Sequence, residues 1–154
     1  AGFLFGFGYF VAGIWWVGNA LLVGGNPYLW ALPLAVAGLQ ALLAIFPMLA
    51  ALCSQWLYKG RSVGAYLFFI AMMGFWEWGR GTFFTGFPWN MFGMTWTYTL
   101  PMLQILSVGG IYLLSLLTIF MLSVPGFVLA GNAPRHIRFG MLGLALALCA
   151  GLLL

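Results

Sequence analysis

Polar side chains interrupt this chain at only a few places, and the spacing of those interruptions predicts its architecture. Apolar sequence fills residues 1–23, 29–58, 62–80, 99–130 and 137–154, without the two-residue alternation of a half-buried strand. A helix rising about 1.5 Å per residue needs roughly 20 residues to cross a hydrocarbon core about 30 Å thick. These stretches therefore predict an all-α fold, a polytopic transmembrane helical bundle with about five spanning helices. The breaks are a Gly24–Pro27 turn, a basic link at Lys59–Arg61, a Gly/Pro/aromatic link from Gly79 to Asn90, and a second basic link over residues 131–138.

Finer features follow from individual residues. The second stretch exceeds one crossing and carries Pro33 near its start and Pro47 inside, so it is expected to tilt, kink near Pro47 or extend beyond the hydrocarbon. Gly2 and Gly6, with Gly13 further on, offer a small-residue face that lets a neighbouring helix approach closely. Pro101 suits an early helical turn and Pro125 a kink or stop. Gln40 and Gln55 are candidates for hydrogen bonds between helices. In the long link, Pro88 disfavours helix at Phe87 and Gly86 can take a positive φ.

Composition supports the membrane reading and removes several functions. Of 154 residues, 65% are hydrophobic and 4% charged, too few charges to clothe a water-facing surface. The net charge of +4 comes from five basic residues and one acidic one, with no basic stripe to follow a phosphate backbone, so nucleic acid is not an expected partner. Cys53 and Cys149 lie far apart in apolar sequence, and His136 sits among arginines, so no metal or other cofactor is expected. Thr82, Thr85 and Ser107 have no evident base beside them, and no complete catalytic centre is expected in this chain.

The few charges orient the bundle. Lys59 and Arg61 lie in the link before the third stretch, and Arg135 and Arg138 in the link over residues 131–138 that leads into the fifth. In a serpentine of five helices these links share a side, and the positive-inside rule makes it cytoplasmic. Residue 1, residues 59–61 and residues 131–138 are then expected in the cytoplasm, and residues 24–27, 80–97 and the C-terminal end on the opposite side. Glu77, the sole acidic residue, stands three positions before Arg80, on one helical face if the helix reaches that far. Such groups in a membrane segment are expensive unless paired or near water. They are expected to form an ion pair or to shape a site where Arg80 engages a lipid phosphate or a carbonyl oxygen.

Two stretches resemble apolipoprotein N-acyltransferase, the bacterial inner-membrane enzyme that adds the third acyl chain to lipoproteins. One is GFLFGFGYFVAGIWWV, from Gly2 to Val17, and the other is EWGRGTFFTGFPWNMFGMTW, from Glu77 to Trp96. The second is the more specific, pairing an upstream E-x-x-R-G with TGFPW. The resemblance implies eight membrane helices and an extracytoplasmic nitrilase-like domain inserted before the last. A Glu–Lys–Cys triad in that domain would move an acyl chain from phospholipid to the N-terminal diacylglyceryl-cysteine of a lipoprotein.

On this pattern the five stretches correspond to the third through seventh family helices, and the nitrilase-like domain would follow residue 154. None of these residues matches the triad, so the chain is expected to be inactive alone. The residues that match the family segment are Glu77, Arg80, Gly86, Phe87, Pro88 and Trp89, expected on the lipid or substrate side of the site. The chain opens without Met and stops within an apolar run, as expected of a piece of a longer protein. The competing expectations are a transporter or channel module with a polar pathway near Glu77, and a non-catalytic membrane scaffold.

Overall fold

The structure, a computed structural model, describes residues 1–57, 60, 62–83, 86–130 and 132–153, the last two by backbone alone. Lys59, Arg61, Thr85 and Leu154, which figure in the expected topology, lie outside the described residues. In chain order the helices are α1 (Gly2–Ile14), α2 (Leu32–Leu43), α3 (Ile45–Leu57), α4 (Val63–Thr82), the single turn α5 (Leu100–Leu103), α6 (Leu106–Ala130) and α7 (Arg135–Leu153). Tighter 3₁₀ segments cover Trp15–Leu22, Leu29–Ala31 and Phe92–Trp96. The domain is an all-α membrane domain, and the described residues contain no strand.

Three stretches of described residues are long and apolar enough to cross a bilayer: Gly2–Leu22, Leu29–Leu57 and Leu106–Ala130. Their outward faces carry Leu4, Leu34, Leu52, Val108, Leu122 and Leu129, all exposed. In water that surface would be strongly unfavourable. Against lipid tails it costs nothing, so helix association rests on close packing and polar contacts instead.

Helix breaks have local causes. The first apolar stretch is not one uniform helix: Ile14 departs from helical geometry (φ −131°, ψ 20°), and the indole Nε1 of Trp16 donates to the Gly13 carbonyl at 3.1 Å. The bend expected near Pro47 falls at Ala44, between α2 and α3. Proline has no N–H for the carbonyl four residues back and its ring crowds that carbonyl, so the disturbance lands upstream. Pro125 lies within α6, which continues to Ala130, whereas Gly110 (φ 65°, ψ −171°) breaks the helical geometry near its start. That backbone region is essentially closed to residues with a Cβ.

Close approach between α1 and α3 uses the small residues. A Cβ on Gly2 would stand 2.9 Å from Ala51 Cβ, and one on Gly6 would meet the Pro47 ring and stand 3.1 Å from Ala44 Cα. Gln40 on α2 is fully buried and its Nε2 donates to the Ile14 carbonyl at 3.4 Å. Gln55 is exposed.

The buried residues of α4 define the centre of the bundle. Tyr66, Ile70, Met73, Glu77 and Arg80 recur at spacings of four and three, one stripe on one face. Its apolar part joins Ala50 of α3, Ile119, Val124 and Phe127 of α6, and Ala145 of α7 in the main core. A second cluster, Phe10, Ile14 and Leu43, binds α1 to α2. The polar end of the α4 stripe faces the long link.

Candidate functional site

Ser62 starts α4, its hydroxyl accepting the Ala65 N–H at 3.3 Å. The helix runs to Thr82, past the Gly79 where the link was expected to begin, so both charged side chains project from regular helix. Glu77 is 5% exposed and Arg80 3%. Their closest approach, Arg80 Nη2 to Glu77 Oε1, is 3.8 Å, long for a hydrogen-bonded ion pair.

Each group has shorter contacts with the link. Arg80 Nη1 donates to the Phe87 carbonyl at 2.6 Å and to the Trp89 carbonyl at 2.7 Å. Glu77 Oε1 accepts the Phe92 backbone N–H at 2.7 Å. The Phe87 N–H in turn donates to the Arg80 carbonyl at 2.8 Å. Two side chains one turn apart thus hold segment 86–92 at both ends, positive charge on carbonyls and negative charge on an amide. The Arg80 guanidinium also lies 5.1 Å from the centre of the Phe10 ring.

The link's own residues fit this clamp. Gly86 has φ +78°, and a Cβ there would collide with the Gly81 carbonyl oxygen. Phe87 packs on the Phe10–Ile14–Leu43 cluster, so it anchors the link to α1 and α2. Pro88 has no N–H to satisfy, and its carbonyl neighbours on either side both accept from Arg80. Pro88 and Trp89 are exposed, and the Trp89 indole stacks on Trp16 with ring centres 5.0 Å apart. Of the six candidate residues, then, Glu77 and Arg80 hold the link, Gly86 and Phe87 seat it, and Pro88 and Trp89 form its exposed crest.

Several partners were missed in the sequence. Tyr9 of α1 donates its hydroxyl to the Asn90 carbonyl at 3.2 Å. Ser115 Oγ accepts the Gly93 N–H at 2.9 Å, and Thr118 Oγ1 accepts Trp96 Nε1–H at 2.8 Å. Ser115 and Thr118 are both fully buried and three apart in LLSLLT, so a polar stripe on an otherwise apolar helix was available as a signal. Tyr9 offered none, since an aromatic in a Gly/Phe helix reads equally as packing.

One cavity adjoins the pair, and a second adjoins that cavity. A small one, walled by Tyr9, Phe10, Phe46, Trp76, Glu77 and Arg80 among others, has room for water centres of about 20 Å³. A larger apolar pocket of about 420 Å³ opens between α1, α3, α4 and α6 and shares Phe5, Pro47, Met73 and Phe92 with the first. The basic residues of the other link stand apart from this site. Arg135 and His136 are exposed, and Arg138 Nη1 donates to the Val128 carbonyl at 2.7 Å in the last turns of α6. Cys53 and Cys149 are free thiols, both half-buried.

Known proteins resemble this chain along nearly its whole length. A sequence model of the apolipoprotein N-acyltransferase N-terminal domain matches residues 1–124. The apolipoprotein N-acyltransferase of Allorhizobium ampelinum is 45% identical over 146 residues, covering 95% of this chain and 26% of that protein. That of Rhodopseudomonas palustris is 38% identical over 152 residues, 99% of the chain and 28% of the relative. That of Brucella melitensis is 41% identical over 134 residues, 87% and 25% respectively. The chain spans about a quarter of the length of these curated relatives. No solved structure matches it.

Proposed function

The chain belongs to the apolipoprotein N-acyltransferase N-terminal domain family, and we propose that it is the membrane-embedded part of such an acyltransferase, supporting transfer of an acyl chain from phospholipid to the N-terminal diacylglyceryl-cysteine of a lipoprotein. The match over residues 1–124 carries this reading. In it the chain is an integral membrane component that positions substrates, and the reacting groups lie elsewhere in the protein. A nitrilase-like domain following residue 154 would supply the Glu–Lys–Cys triad; the relatives, of which this chain covers 26–28%, have room for it.

In this reading the clamped link is the substrate-side wall. Glu77 and Arg80 hold the backbone of segment 86–92, and Gly86, Phe87, Pro88 and Trp89 form the surface. A rigid aromatic crest at the membrane boundary suits an amphipathic substrate, whose tails stay in hydrocarbon while its head reaches water. The apolar pocket walled by Phe5, Pro47, Met73 and Phe92 among others is the natural harbour for a tail. Arg80 acts through the link, because its Nη1 is already engaged by two carbonyls.

The proposed location is the bacterial inner membrane, with residues 1, 59–61 and 131–138 cytoplasmic and residues 24–27, 80–97 and the C-terminal end extracytoplasmic. Single cysteines at Arg135 and Trp89, in a background without Cys53 and Cys149, test this. In sealed vesicles an impermeant thiol reagent should reach the two from opposite sides, and labelling from one side overturns the topology. Activity is tested in the full-length protein by Arg80→Ala. Acyl transfer should fall at least tenfold further than the amount of folded protein. Equal losses of both would leave the pair a structural ion pair and remove it from substrate positioning.

A further inference from the structure

The first N–H groups of a helical segment have no partner within it and need one from outside. The 3₁₀ segment Phe92–Trp96 is preceded by Met91, which supplies no side-chain cap. Its two leading amides are met instead from other helices. The Phe92 N–H donates to Glu77 Oε1 of α4 at 2.7 Å, and the Gly93 N–H donates to Ser115 Oγ of α6 at 2.9 Å. A carboxylate and a hydroxyl are the groups that cap helices within a chain. A Cβ on Gly93 would stand 3.0 Å from the Ser115 backbone nitrogen, so glycine lets the segment lie this close to α6.

The Ser115 hydroxyl differs from the other buried and half-buried hydroxyls of the helices. Ser54, Thr118 and Ser123 each donate their proton to the carbonyl four residues back in their own helix. Ser115 makes no such bond among the described residues. A hydroxyl carries one donor besides its acceptor sites, so after accepting from Gly93 it still has a proton to give. The Glu77 carboxylate is its side-chain hydrogen-bond partner. Ser115 is fully buried and Glu77 is 5% exposed, so bulk water does not compete for either group.

We propose that Ser115 is a positioning residue, whose hydroxyl donates to the Glu77 carboxylate while accepting from Gly93 and so holds the orientation in which Oε1 meets the Phe92 amide. Glu77 and Ser115 then form one cap, assembled between α4 and α6, for the segment that ends the link. The far end of that segment is held separately, Trp96 Nε1 donating to Thr118 Oγ1 three residues further along α6. For acyl transfer the role of Ser115 rests on the reading of the link as the substrate-side wall.

The test compares Ser115→Ala with Thr118→Ala in the full chain in lipid nanodiscs, reading amide exchange residue by residue. Ser115→Ala should speed exchange at both Gly93 and Phe92 by roughly 3–30-fold, as expected for loss of a capping hydroxyl. Phe92 is the telling amide, because its own acceptor is Glu77 and is left in place. Thr118→Ala should leave both amides as in the parent. Glu77 is the sole acidic residue of the chain, so glutamate labelled with carbon-13 at the side-chain carboxyl gives one carboxylate resonance. That resonance should move in Ser115→Ala and stay in Thr118→Ala. Phe92 exchange or the Glu77 resonance unchanged in Ser115→Ala overturns the proposal, as do equal effects of the two substitutions. If Ser115→Ala does not fold, an experimental density map of the unsubstituted chain decides. Ser115 Oγ about 2.5–3.0 Å from a Glu77 carboxylate oxygen is the expected result, and Oγ turned to the Ile111 carbonyl overturns it. Acyl transfer by the full-length protein, per folded molecule, should fall with Ser115→Ala. A loosened cap with undiminished transfer would leave the cap standing and overturn the substrate-wall reading instead.

Discussion

Replacing Arg80 by lysine separates two contributions that replacement by alanine removes together. The first is attraction to Glu77. At 3.8 Å two unit charges attract by about 4 kcal/mol at an effective dielectric of about 20. Much of that is offset by the cost of taking both ions out of water. The second is the grip of Nη1 on the Phe87 and Trp89 carbonyls at 2.6 and 2.7 Å. Each charge-assisted bond contributes about 1.5–3 kcal/mol. Alanine loses both and leaves Glu77 buried with no counter-charge, for an expected loss of about 3–5 kcal/mol.

Lysine keeps the charge, but its ammonium ends one atom short of Nη1 and lacks the planar fork. If Coulomb attraction dominates, Arg80→Lys stays close to the parent. If the carbonyl grip dominates, as the geometry indicates, lysine gives up at least one bond, about 1.5–3 kcal/mol. Equilibrium unfolding in mixed micelles, titrated with a denaturing detergent and followed by near-ultraviolet circular dichroism, reads the difference. A lysine variant within about 0.5 kcal/mol of the parent, beside a costly alanine, would refute the reasoning, because surface-like neutral substitutions fall in that range.

Glycine positions give further tests by the same unfolding assay. Gly86→Ala must place a Cβ at φ +78° against the Gly81 carbonyl oxygen, so a loss of at least about 1–2 kcal/mol is expected; no loss would mean that the link turns differently. Gly6→Ala and Gly8→Ala form a matched pair within α1. The first Cβ meets Pro47 and Ala44 and should destabilise by about 1–3 kcal/mol, whereas the second has open space and should stabilise by roughly 0.5–1 kcal/mol. Equal effects at the two sites would contradict the α1–α3 packing.

The helical class was legible because long apolar runs punctuated by Gly, Pro and basic residues have few other readings. Glu77 and Arg80 were legible as a pair because spacing of three places them on one helix face, and both do join the α4 stripe. Their main partners were not legible. The Phe87 and Trp89 carbonyls and the Phe92 amide are backbone groups, which every residue carries and no sequence marks. Nor was the shift from α-helix to 3₁₀ at Trp15, where the Trp16 indole reaches back to the Gly13 carbonyl. Pro47 announced a bend but placed it ambiguously, because proline disturbs the turn before itself. Ser115 and Thr118 were readable as a polar stripe, though which link they would receive depended on tertiary packing.

That two side chains of one helix fix the backbone of the link is open to direct test, because amide hydrogen exchange reads that backbone. In the full chain in nanodiscs, a peptide containing the Phe87, Phe92 and Gly93 amides should be strongly protected, since all three donate to partners in the structure. Arg80→Lys should speed exchange in that peptide by roughly 10–100-fold, the equivalent of about 1.5–3 kcal/mol of local stability, while peptides from α1 and α7 stay unchanged. Unaltered protection of the link, or equal loss across all helices, would contradict it.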